Sequence, residues 1–216
     1  LLTPVEPLPL DRLGLPEHTL NIFKKTIDRP HGLILCAGPT GSGKTTTLHS
    51  ALAHINRPDR KIWTAEDPIE ITQAGLRQVQ INPRLDWTFE KALRSFLRAD
   101  PDVIMIGEIR DQDTARTAIE AALTGHMVMS TIHTNSATET IIRLLDMGMD
   151  PFNFADSLLG VMGQRLVRRL CSACANHQPA SAAQIEEWVS EHQRASGLEQ
   201  TLDADALIAK WQRQFG

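Results

Sequence analysis

The most constraining feature of this chain is an unbroken stretch, Gly38-Pro39-Thr40-Gly41-Ser42-Gly43-Lys44-Thr45, set between an apolar run and a helical pattern. It fits G-x-x-x-x-G-K-[ST] in full, and its flanks are the strand and helix that this pattern requires. The residue types follow from the chemistry of phosphate. Glycines let backbone N–H groups close around anionic oxygens, and the start of the following helix adds partial positive charge. Lys44 brings a full charge to the outer phosphates, and Thr45, followed by Thr46, offers a hydroxyl to a bound Mg²⁺. The nucleotide-binding set predicted from sequence is therefore Gly38 to Thr46, with ATP and Mg²⁺ as the ligands.

The rest of the chain alternates strand and helix signals. Leu33-Ile34-Leu35-Cys36-Ala37 and Val103-Ile104-Met105-Ile106-Gly107 are continuous apolar runs, as expected of strands buried on both faces. Lys61 to Ala65 and Met127 to Ile132 are strand-like. Helices are expected from Pro16, over Thr88–Arg98, Asp113–Thr124 and Ser136–Met147, and through most of Asp150–Leu170. The pattern predicts an α/β fold with a largely parallel central sheet flanked by helices; together with the glycine-rich loop it resembles a RecA-like P-loop NTPase. The predicted division is a Pro- and Leu-rich linker over residues 1–15, the P-loop domain over 16–170, and a C-x-x-C segment with a small helical appendage over 171–216. In that appendage Ser181 and Gln184 are expected to cap a helix carrying Ile185, Trp188 and Val189. Leu207, Ile208 and Trp211 suggest another.

Composition excludes several classes. Of 216 residues, 22 are basic and 26 acidic, giving a formal net charge of -4, which argues against nucleic-acid binding. No apolar run reaches the roughly 20 residues of a membrane span. There is no signal-peptide core, and an initial Leu rather than Met suggests a fragment. Three cysteines indicate a reducing compartment: Cys36 as a core thiol, and Cys171 and Cys174 as an isolated C-x-x-C.

Hydrolysis requires more than a phosphate cradle. The usual Mg²⁺-binding Asp at the end of the second strand is replaced by Gly107, and Glu108 follows. Glu108 must then serve the metal, its water shell or the nucleophile. A second acidic cluster, Glu66-Asp67-Pro68-Ile69-Glu70, follows the strand 61–65. Ligands bind at the carboxyl edge of such sheets, so both clusters are expected to face the γ-phosphate. His133 follows another strand at that edge and is expected to report the γ-phosphate by hydrogen bonding. The sequence leaves the role of His126 open.

Four segments in order, GPTGSGKTTTL, TAEDPIE, LRADPDVIMIGEIRD and TGHMVMSTIHTNSA, resemble the Walker A, Asp, Walker B and His boxes of secretion ATPases. The stretch GMDPFNFADSLLGVMGQRLVRRLCSAC is similar to the type II secretion and type IV pilus-extension branch, the general secretion pathway E and pilus assembly B family. The resemblance covers roughly residues 15–174 and implies Mg-dependent ATP hydrolysis by a homohexameric motor. That motor would be cytoplasmic and docked on inner-membrane platform proteins. It implies Glu66 as the residue polarising the attacking water and Glu108 as acting on Mg²⁺, with the two roles exchangeable, and His133 as the γ-phosphate sensor. Arg77, Arg84, Arg94 and Arg98 are candidate charge-stabilising fingers, with Arg94 and Arg98 expected on one helix face. Related retraction or conjugation ATPases, a nucleotide-binding assembly module with little turnover, and a P-loop kinase are the alternatives. A kinase would need an acceptor-binding lid, which no segment suggests. Family members usually carry a second C-x-x-C that completes a Cys₄ zinc site. Cys171, Cys174 and His177 supply at most three ligands, so an incomplete zinc site is expected here.

Overall fold

A computed structural model describes residues 6–176, 178–196 and 203–215. The chain divides into two compact units, Leu1–Val167 and Arg168–Gly216.

The first unit is built on a six-stranded sheet in the order β3-β2-β4-β5-β1-β6, with every pairing parallel. Its strands are β1 (Gly32–Ala37), β2 (Ile62–Glu66), β3 (Arg77–Gln80), β4 (Val103–Ile106), β5 (Met127–Ile132) and β6 (Leu158–Gly163). The helices are α1 (Glu17–Ile27), α2 (Lys44–Ile55), α3 (Phe89–Phe96), α4 (Gln112–Leu123), α5 (Ala137–Asp146) and α6 (Pro151–Ser157).

Alternation along the central strands splits the core into two layers. Leu33, Leu35, Ile104, Ile106 and Val128 face one layer with Leu93 and Phe96 of α3 and Ala118 and Ala122 of α4. Ile34, Cys36, Val103, Met105, Met127 and Met129 face the other with Phe23 and Ile27 of α1 and Leu48 and Leu52 of α2. Each fully buried Leu or Ile contributes about 1.5–3 kcal/mol relative to exposure. This two-sided burial is why the strands read as continuous apolar runs.

Helix starts follow local capping chemistry. Thr88, Asp111 and Ser136 accept from the backbone N–H groups of Lys91, Thr114 and Glu139 respectively. Glu139 reaches back to the N–H of Asn135 at 2.7 Å, one residue before the cap. Pro16 is the N-cap of α1 rather than its first residue.

The structure corrects the sequence reading at four places. The segment expected to be helical from Asp150 onward is a short helix, α6, followed by a strand. Asp150 caps α6, accepting from Phe152 and Asn153, and β6 then pairs with the free edge of β1. The hydrogen bonds of that edge outweigh the helical spacing of the apolar residues. Secondly, the polar β3 gave no apolar signal, because an edge strand buries little. Thirdly, Leu10, within the segment read as extended linker, sits in a 3-10 turn and is buried with α1 and α2. Fourthly, α3 stops at Phe96, so Arg98 lies in the following turn and not on the helix with Arg94.

The second unit contains α7 (Ala182–Ser196) and α8 (Ala204–Phe215), which pack on each other. Ser181 and Gln184 form the expected reciprocal cap: Ser181 N–H donates to Gln184 Oε1, and Gln184 N–H to Ser181 Oγ.

Candidate functional site

Register brings the site together. Ala65 pairs with Ile106, Ile106 with Ser130, and Ala37 with Ile132, so β1, β2, β4 and β5 finish at the same carboxyl edge, with β1 and β5 running two residues past the end of β4. The segments leaving those ends are the glycine-rich loop, Glu66 onward, Gly107-Glu108 and His133. They line one cavity of about 660 Å³, whose wall includes Lys44, Thr45, Thr46, Glu66, Glu108 and His133.

The loop from Gly38 to Gly43 ends in Gly43 at φ 84°, a left-handed conformation that starts α2 at Lys44. A Cβ on Gly43 would lie 2.8 Å from Gln164 Nε2. Lys44 Nζ donates to the carbonyls of Gly38 at 2.8 Å and Pro39 at 2.9 Å. Burial lowers its pKa, against the attraction of Glu108. Gln164, just after β6, braces the loop from outside. Its backbone N–H donates to Ala37, its Nε2 to the Ser42 carbonyl at 2.9 Å, and its Oε1 accepts from Thr47 Oγ1 at 2.9 Å. Ser42 Oγ is buried without a hydrogen-bond partner among the described residues. A loop of backbone donors, a buried ammonium and an unpaired buried hydroxyl fits a polyphosphate anion.

Gly107 has a steric reason to be glycine. A Cβ there would sit 3.2 Å from the backbone carbonyl of Ala65, tighter than an ordinary contact, and the carboxylate comes from the next residue. The backbone around Glu108 is held on both sides, with Gly107 N–H on Ala65 and Ile109 N–H on Thr131. Glu108 Oε1 lies 3.0 Å from His133 Nε2, and Oε2 accepts from Arg110 Nε. Several oxygen donors of the kind that suit a hard divalent cation line this wall, among them Thr45, Glu66, Asp67, Glu70 and Glu108.

Glu66 is 3% exposed. Burial alone would raise its pKa, but hydrogen bonds from His49, Thr64 and Gln78 outweigh that and hold the carboxyl below its ordinary range. Oε1 accepts from Thr64 Oγ1 at 2.6 Å and Gln78 Nε2 at 2.9 Å, and Oε2 lies 3.0 Å from His49 Nε2.

Other expected residues lie elsewhere. His126 immediately precedes β5, at the opposite edge, and its Nδ1 is 2.9 Å from the Ala121 carbonyl at the end of α4. Arg94 pairs with Glu90, Arg98 contacts Ser95, Arg77 lies over the Trp63 ring and Arg84 is exposed. None of these four lines the cavity, whereas Arg110, which sequence reasoning did not single out, does. Gln164 and His49 were also missed; only their closeness to the glycine-rich loop, in space or along α2, could have marked them. Cys171 and Cys174 are exposed free thiols in a turn, and no third ligand joins them among the described residues. His177 lies outside the described residues.

Residues 4–206 match the family described as Type II/IV secretion system protein. The chain is 53% identical over 177 residues to the type II secretion system ATPase E of Vibrio cholerae, covering 82% of this chain and 35% of that protein. It is 56% identical over 167 residues to the type IV pilus assembly ATPase PilB of Myxococcus xanthus, covering 77% of this chain and 30% of that one. It therefore spans about a third of the length of these relatives. Among solved structures, the pilus retraction motor PilT with bound ADP superposes with a TM-score of 0.68 at 34% identity, covering 98% of this chain and 64% of that one. With its motifs in order along a parallel six-stranded sheet, the chain belongs to the type II/IV secretion system protein family.

Proposed function

We propose that this chain is the ATP-hydrolysing core of a motor that powers type II protein secretion or type IV pilus assembly. The observation that carries this reading is the convergence of Lys44, Glu66, Glu108 and His133 on the cavity beside the glycine-rich loop. The names and identities of the relatives support the secretion and pilus-assembly branch, at 53% and 56% identity, over the retraction motor at 34%.

In this reading the backbone N–H groups of the loop bind the phosphates and Lys44 swings from its two carbonyls to the β and γ oxygens. Thr45 and Glu108 would hold Mg²⁺, which when bound would neutralise charge on the phosphate oxygens. Glu66 is a fixed, ionised acceptor that orients water. Its lowered pKa makes it a weak proton acceptor and a good positioning group. His133, with Nε2 3.0 Å from Glu108 Oε1, lines the same cavity and senses the γ-phosphate. A neighbouring copy in a homohexamer supplies arginines to complete the site, with Arg94 and Arg98 as candidates alongside Arg110 of the same chain. The assembled motor works at the cytoplasmic face of the inner membrane on platform proteins. Among the described residues no helix is long and apolar enough to cross a membrane.

The test is steady-state ATP hydrolysis against protein concentration, with and without Mg²⁺, beside a sizing run and an ADP-binding titration of the parent and Lys44→Ala. Mg-dependent specific activity that rises with concentration, and loss of ADP binding in the variant, are expected. Undiminished ADP affinity in Lys44→Ala would overturn the site assignment. ADP binding without turnover at any concentration would leave a binding module and not a motor core.

A further inference from the structure

The groups that hold Glu66 lie outside every box of the sequence motif except Thr64. One of them, His49, projects from α2, the helix that Lys44 begins, and its side chain is completely buried. A neutral imidazole in that position helps a carboxylate in one tautomer and opposes it in the other.

Gln73 decides between them. Its Nε2 lies 3.0 Å from the backbone carbonyl of His49 and 2.7 Å from His49 Nδ1. A carbonyl only accepts, so the amide must turn its NH₂ group toward this pair. The same NH₂ donates to Nδ1, which therefore carries no proton. The ring proton is on Nε2, 3.0 Å from Glu66 Oε2. The other amide is fixed in the same way. Gln78 Oε1 takes the backbone N–H of Gln73 at 2.8 Å, and its Nε2 donates to the Ile71 carbonyl at 2.8 Å and to Glu66 Oε1 at 2.9 Å. Oε1 thus has two donors and Oε2 one. A carboxylate oxygen can accept about two hydrogen bonds, so Oε2 keeps capacity toward the cavity that Glu66 lines.

We propose that His49, locked in its Nε2–H tautomer by Gln73, is a positioning residue that aims Glu66 Oε2 at the attacking water. The inference rests on Glu66 being the water-orienting carboxylate of the reading above. It extends the hydrolytic site from β2 into the phosphate-loop helix and the loop before β3, so that three segments set the angle of one carboxylate.

Two measurements on the whole chain test it. The first is a long-range ¹H–¹⁵N spectrum of the histidine-labelled protein, with the His49 signals identified by their loss in His49→Gln. A neutral ring protonated at Nε2 is expected; protonation at Nδ1 overturns the proposal, with or without turnover. The second is Mg-dependent ATP hydrolysis. His49→Leu should lower kcat by about 10–100-fold, the effect of a displacement near 1 Å, while KM and ADP affinity stay within about twofold. His49→Gln, which can present an N–H to the same oxygen, should recover most of that loss, and Gln73→Met should fall in the same direction as His49→Leu. Unchanged kcat in His49→Leu, or parallel loss of kcat and ADP binding without rescue by Gln, overturns the proposal. Should His49→Leu fail to fold by circular dichroism, the Gln and Met variants and the tautomer decide. Glu66→Gln separates the two levels. Full turnover in Glu66→Gln defeats the reading of Glu66 itself, whereas a dead Glu66→Gln beside an active His49→Leu defeats only the role of His49.

Discussion

Replacing Gln164 with Leu should loosen the phosphate loop more than any exposed substitution near it. The side chain makes two hydrogen bonds, from its Nε2 to the Ser42 carbonyl and to its Oε1 from Thr47 Oγ1, both at 2.9 Å. Leu fills a similar volume and keeps the backbone bond to Ala37, so the loss is confined to the amide. Thr47 is 1% exposed, and a buried hydroxyl left unpaired costs about 1–3 kcal/mol. The bond to the Ser42 carbonyl adds about 0.5–1.5 kcal/mol. The expected destabilisation is about 1.5–4.5 kcal/mol, with roughly 2–4 °C of Tm lost per kcal/mol for a domain of this size. Urea unfolding followed by circular dichroism gives the free energy. Thr47→Val supplies a cycle: once the hydroxyl is gone, Gln164→Leu should cost about 1–3 kcal/mol less than in the parent. A Gln164→Leu variant within about 0.5 kcal/mol of the parent, the ordinary range of a surface change, would refute the clamp. Strict additivity with Thr47→Val would refute the specific bond. ADP affinity should fall with it, because the Ser42 peptide is part of the cradle.

Two further outcomes follow from buried titratable groups. The Glu66 carboxyl is held below its ordinary range, so the folded chain binds fewer protons than the unfolded one in mild acid. That contribution is complete above the unfolded carboxyl range of about 4.3 and is lost as pH falls through the lower folded value. Glu66→Gln should therefore show a shallower drop in urea midpoint between about pH 5 and about pH 3 than the parent; an equal drop counts against the hydrogen-bonded carboxylate. Burial pushes the Cys36 thiol up to about 12. The unfolded thiol ionises near about 8.5, so stability should fall above that pH by up to about 1.4 kcal/mol per unit, and Cys36→Ala should lose less. A thiol reagent should label exposed Cys171 and Cys174 at once and Cys36 only on unfolding; immediate labelling of all three would contradict the packing.

Much of the fold is legible because burial on both faces leaves a signature that needs no tertiary knowledge. Val103 to Ile106 and Leu33 to Ala37 are apolar without interruption, and they form the central strands β4 and β1. Ser136 and Ser181 announce helix starts by local chemistry, and both caps are present. Elements whose stability comes from a neighbour were not legible in this way. β6 carries apolar residues at helical spacing, and only the free edge of β1 makes it a strand. β3 is polar because it lies at the sheet edge.

The site divides along the same line. Lys44, Glu66, Glu108 and His133 are visible because each ends a recognisable strand or begins a helix, and the sequence by itself determines that they share one edge of a parallel sheet. It also determines glycines such as Gly41 and Gly43, since a loop that wraps an anion with its backbone turns through left-handed conformations that glycine adopts without a steric cost. Only the tertiary structure decided which side chains aim these groups. His49, Gln73, Gln78, Gln164 and Arg110 belong to four separate regions of the chain and carry no shared spacing. Their roles depend on hydrogen-bond geometry across elements, which is set by packing and leaves no trace in local periodicity.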